Sequence, residues 1–184
     1  MRAEEEALRK LIATPDLPEL GPGPRSSVKP LQWLSRQLDE YLERSQLPTS
    51  VHQPIRAAVL LWHDHLDESH RISQELHGPD GSYLHGIMHR REPDYGNAKY
   101  WFQRVGKHPN FEPLARKAAE LLESQGAQSV REQLIPGGEW APFVFVDACE
   151  GIANRPSARE GELLRSIQAI EIELLLERFL SSSG

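Results

Sequence analysis

Residues 62–109 read WHDHLDESHRISQELHGPDGSYLHGIMHRREPDYGNAKYWFQRVGKHP, and the punctuation of this stretch decides the fold class. Trp62, Leu66, Ser69, Ile72 and Ser73 continue a stripe begun by Ile55 and Val59. The three- and four-residue spacing predicts one helix from about Val51 to Leu76 with a single buried face. His77-Gly78-Pro79-Asp80-Gly81 is a turn signal. A helix over residues 82–91 follows, and Pro93 imposes a break near Glu92, because proline pushes the residue before it out of the helical region. Tyr95–Val105 reads as the next short helix, stopped at Gly106. Helix–turn punctuation without a paired strand pattern makes the class mainly α, an irregular multi-helix bundle.

Outward from this stretch the same logic holds. HPNFEPLARKAAELLESQG predicts a helix ending at Gly126. Pro136-Gly137-Gly138 is a loop, and FVFVDA (residues 143–148) is read as helix for want of a partner strand. Ser157 and Glu160 spell a capping box for a last helix reaching about Leu180. That helix begins with one apolar stripe and then spreads Ile172, Leu175, Leu176, Phe179 and Leu180 around its cylinder. Such a helix is either central to the fold or the interface of a homodimer. Upstream, Leu31, Leu34, Leu38, Tyr41 and Leu42 predict a helix over residues 31–46. Before it, Pro15, Pro18, Pro22, Pro24 and Pro30 interrupt any helix. Residues 1–30 therefore read as a short helix and a Pro/Gly-rich arm, and residues 31–184 as a single helical domain.

Composition narrows the function. The 184 residues carry 39% hydrophobic and 26% charged side chains, the balance of a folded globular domain. A net charge of -6 argues against a nucleic-acid partner, which needs a basic face. Cys149 is the only cysteine, so no disulfide and no cysteine-based zinc knuckle forms within the chain. No apolar run suits a signal peptide or a membrane span, and a cytoplasmic home is the expectation.

The quoted stretch holds seven of the eight histidines. Each helical residue turns the direction by about 100°, so positions i, i+4 and i+7 share a face. His63, Asp67 and His70 have this spacing, and so do His85, His89 and Glu92. If the two helices fold back at Pro79, a rise of about 1.5 Å per residue sets residue 89 opposite 69 and residue 85 opposite 73. Asp67, His70, His85 and His89 then meet at one level, with His63 a turn away. Three imidazoles and a carboxylate suit zinc first, with iron, manganese or nickel as alternatives. The competing reading makes these histidines surface residues or hydrogen-bonded core residues.

The basic and aromatic run that follows carries a second chemistry. Arg90, Arg91 and Arg104 are able to fork onto carboxylate or phosphate oxygens. Asp94 and Asn97 offer hydroxyl partners, Tyr100 and Trp101 offer flat apolar faces, and Glu92 is the candidate general acid or base. The alternative has the arginines paired with acids and the aromatics packed in the core. HRREPDYGNAKYWFQRVGKHP, with WHDHLDESH before it, resembles a family of small uncharacterised proteins of bacteria and filamentous fungi. The resemblance spans roughly residues 60–110 and, less clearly, the final helix; it implies a grouping and no activity. The expectation is a metal-dependent enzyme acting on a small polar or anionic metabolite. A non-catalytic sensor using the same pocket, and an interaction protein without a site, are the alternatives.

Overall fold

The computed structural model describes residues 2–181. Helical periodicity becomes ten α-helices among those residues, with no strand. They are α1 (Arg2–Leu11), α2 (Leu31–Arg44), α3 (His52–Trp62), α4 (Leu66–Ser73), α5 (Gly78–Arg91), α6 (Tyr95–Val105), α7 (Phe111–Ser124), α8 (Gln128–Leu134), α9 (Pro142–Asn154) and α10 (Ala158–Ser181). The chain is mainly α, as its sequence predicts. No helix among the described residues is long and apolar enough to cross a membrane.

α10 organises the packing. Its Ala169, Ile172, Leu175, Leu176, Phe179 and Leu180 enter one apolar cluster with α1, α2, α3, α5 and α6. Its Leu163, Leu164, Ile167 and Leu174 enter a second cluster with α7, α8 and α9. A helix serving two cores needs apolar surface on more than one side. The spread that raised the question of an interface is spent inside the chain. Each fully buried Leu, Ile or Phe here contributes roughly 1.5–3 kcal/mol relative to exposure. Ser157 starts the helix, its Oγ accepting from the Glu160 N–H at 3.4 Å.

α5 and α6 form the most extensive helix pair. The Asp94 carboxylate accepts the Asn97 N–H at 3.2 Å and starts α6. Gly86 permits the close crossing, since a Cβ there would stand 3.0 Å from the Phe102 ring. α5 starts earlier than its sequence predicts, at Gly78, because Pro79 is tolerated in a first turn, where its missing N–H has no helical partner anyway. The segment 127–142, hard to read in sequence, holds the short α8 and a turn at Pro136–Gly138.

One helix expected as continuous is not. The stretch predicted from Val51 to Leu76 breaks between Trp62 and Leu66, where Asp64 has φ 61°. Asp tolerates this left-handed conformation better than most side chains. The buried Asp64 carboxylate accepts from the Arg25 backbone N–H at 2.9 Å, Arg25 Nε at 2.7 Å and the Arg91 guanidinium at 2.6 Å. These partners lie far away in sequence, so the break is a tertiary event.

Candidate metal centre

α4 and α5 run back against each other, and their facing turns bring three imidazoles together. His70 comes from α4, and His85 and His89 from successive turns of α5. One ligand nitrogen of each lies within 4.8 Å of the others. The ring centroids of His70 stand 4.8 Å from His85 and 5.1 Å from His89, and the two α5 rings stack at 4.9 Å. His85 and His89 are buried, whereas His70 is half-exposed.

Glu92, at the C-terminal cap of α5, completes the edge. Its carboxylate oxygens lie 3.9 Å from His70 Nδ1 and 3.5 Å from His89 Nδ1. Trp101 lies flat on His85, with centroids 4.0 Å apart and planes 15° from parallel. The Asn97 amide stands 3.1 Å from His89 Nε2, and an Asp94 oxygen 3.9 Å from His89 Nδ1. Arg104 sits 5.4 Å over the Trp101 ring and reaches the exposed Tyr100 hydroxyl at 3.5 Å.

Electrostatics favour neutral rings. Burial, reinforced by His89 and His70, pushes the His85 pKa down to about 4. Burial and His70 also lower His89, against a smaller opposing pull from Asp94. Burial raises Glu92; His70 opposes this, while Asp67 and Asp94 add to it. His85 Nδ1 is buried and has no hydrogen-bond partner within the protein. A buried ring nitrogen without a partner is costly, whichever tautomer the ring adopts.

The sequence-predicted residues divide. His70, His85 and His89 converge. Asp67 stands outside the converging group, exposed in the first turn of α4. Glu92 lies outside that group too, but its carboxylate approaches two of the three imidazoles, His70 and His89, because the backfolding sets the end of α5 beside α4. At the rim, Asp94 and Asn97 stand beside His89 and Trp101 lies on His85, while Tyr100 and Arg104 lie against Trp101 one layer further out.

Arg90 and Arg91 do not join the rim, which corrects their reading as substrate-orienting groups. Both are fully buried. Arg90 donates to Glu171 at 2.5 Å and Gln168 at 3.1 Å, and its guanidinium lies 4.4 Å over the Phe145 ring. Arg91 donates to Asp64 and to the Leu61 carbonyl. A guanidinium buried with a carboxylate has little capacity left for a ligand.

Four other histidines are bonded within the fold, and His77 is exposed. His63 bonds the Leu11 carbonyl at 2.8 Å, His65 the Lys29 carbonyl at 2.8 Å and His52 the Leu47 carbonyl at 3.1 Å. His108 bonds Asp80 at 2.9 Å. Sequence reasoning missed the acids that hold the arginines. A signal existed: Gln168 and Glu171 fall among the apolar residues of α10, away from the face carrying Glu162, Ser166, Glu173 and Glu177, and such residues require buried partners. Cys149 is buried as expected, and burial holds its thiol up at about 12. No family model, curated protein or solved structure matches this chain.

Proposed function

We propose that this chain holds one divalent transition metal at His70, His85 and His89, with Glu92 as the adjoining carboxylate. The metal then acts on a small polar or anionic metabolite. The observation that carries the reading is the convergence of three imidazoles from two helices, one of whose buried nitrogens has no partner in the protein. A metal gives the unpartnered His85 ring a partner, and the lowered pKa values of His85 and His89 keep those two rings unprotonated for it. Nitrogen ligands with one carboxylate suit zinc first, then iron, manganese or nickel.

Bound metal lowers the pKa of a coordinated water or polarises a carbonyl. Glu92 then serves either as a further ligand or as the acid–base partner. His70 and Glu92 are half-exposed, which leaves a small ligand a path to the centre. Arg104 and Tyr100 at the rim offer it a cation and a hydroxyl. A non-catalytic metal-dependent sensor is the second reading, favoured by the withdrawal of Arg90 and Arg91 into the interior.

Elemental analysis of protein purified without a histidine tag or chelator tests the proposal. Near-stoichiometric metal, lost in His85→Ala and His89→Ala, is the expected result. Absence of metal after soaking with zinc, manganese, nickel and iron overturns it. Turnover of small sugars, phosphates or carboxylates by the loaded protein separates enzyme from sensor.

A further inference from the structure

Every residue of the run Trp62–His65 is bonded to the N-terminal arm. Trp62 Nε1 donates to Thr14 Oγ1 at 3.0 Å, and the Trp62 carbonyl accepts from Arg25. His63 bonds the Leu11 carbonyl through Nε2, while its Nδ1 accepts the Lys29 N–H at 3.2 Å. His65 bonds the Lys29 carbonyl. Asp64 lies at the centre, with the Arg25 side chain on one carboxylate oxygen and Arg91 on the other.

The two ends of this network abut the ligand helices. Asp64 lies two residues before α4, which carries His70. Arg91 ends α5, two residues after His89 and one before Glu92. α4 is short: Leu66 enters the first apolar cluster, Ile72 packs against it, and its other buried side chains are the serines Ser69 and Ser73. Ser69 Oγ donates to the Ala57 carbonyl at 2.9 Å, a tether to α3 rather than to α5.

We infer that Asp64, clamped between Arg25 and Arg91, is the positioning group of the metal centre, holding α4 at the level where His70 faces His85 and His89. The inference rests on the metal reading above and extends it: the arm is part of the site's construction, although none of its atoms is a ligand. Conserving charge and shape at Asp64 then matters to metal affinity as well as to stability.

Asp64→Asn keeps the volume and the tolerance for positive φ and removes the charge. Arg25→Gln leaves the Asp64–Arg91 pair in place and loosens only the arm. Leu122→Ala, which opens a cavity in the second apolar cluster, is the control for simple destabilisation. Each full-length protein is titrated with cobalt(II) and zinc(II), and its metal-free form is followed by amide hydrogen exchange. Asp64→Asn and Arg25→Gln are expected to bind between about tenfold and about a hundredfold more weakly, the range found for groups that orient ligands. Their cobalt absorption spectra should change, with both properties intact in Leu122→Ala. Wild-type affinity and spectrum in both charge variants overturn the inference. If the wild type takes up neither metal, the metal reading fails and the positioning role is decided separately. Faster exchange of the α4 amides in the two charge variants than in Leu122→Ala supports it, and equal exchange sinks it.

Discussion

α5 carries two clusters of the same kind of residue with opposite outcomes. At its C-terminal end Arg90 and Arg91 sit fully buried, with their charges matched by Glu171 and Asp64. On another face of the same helix, His85 and His89 meet His70, and no opposite charge offsets the burial of His85. Burial works to raise the Asp64 pKa, yet the Arg91 charge and hydrogen bonds from Arg25 and Arg91 outweigh it and hold the carboxyl below its usual range. Nothing comparable offsets the burial of His85. Adjacent polar residues on one helix are thus a closed structural network or an open chemical one. What separates them is whether the rest of the fold supplies an opposite charge.

The sharpest way to break this comparison is to open the closed network. Glu171→Ala strands the buried Arg90 guanidinium, and removing one partner of a buried pair costs about 3–5 kcal/mol. Chemical denaturation should show the loss, and a change below about 1 kcal/mol would mean that Arg90 finds solvent instead.

The open network should announce itself through pH. Metal-free His85 titrates near 4 in the folded chain against 6.5 for an ordinary histidine. Between those values the unfolded chain binds a proton that the native ring refuses. The native state therefore keeps its full stability above about pH 6.5 and loses roughly 3 kcal/mol as pH falls through about 4. Urea unfolding of chelator-treated wild type and His85→Ala across this window checks it. Equal pH slopes in the two proteins would contradict the assignment.

Closing the open network with metal is the next effect in size. Zinc at about a hundred times its Kd should stabilise the wild type by about 2.7 kcal/mol. His89→Ala should lose that increment and Glu92→Gln should reduce it, as read from Tm with and without zinc. Smallest of all is Asp67→Ala. An exposed carboxylate outside the cluster should alter stability and the zinc increment by no more than about 0.5 kcal/mol, and a larger loss would restore Asp67 to the ligand set.

How far these clusters were legible in the sequence follows from the range of the forces involved. The α6 bounds and the cap at Ser157 were readable because each depends on a few neighbouring residues, whereas the turn expected at His77–Gly81 falls a few residues earlier, ahead of Gly78. His70, His85 and His89 were readable as a group because helical spacing and one tight turn were enough to bring them level. Asp67 was favoured over Glu92 because register counting gives height along a helix and not which side chain bends towards its neighbour. The break at Asp64 and the partners of Arg90 and Arg91 were not readable. Arg25 and Asp64 lie 39 residues apart, and Arg90 and Glu171 81 apart.

By itself the sequence determined the helical class, most helix boundaries, and a histidine concentration dense enough to mark α4 and α5. Those follow from backbone preference and periodic burial, which act within a few turns. Only the tertiary structure decided which charges are spent and which remain available. The cost of burying a polar group depends on what surrounds it in space, and for Asp64, Arg90, Arg91 and His85 those surroundings come from distant parts of the chain.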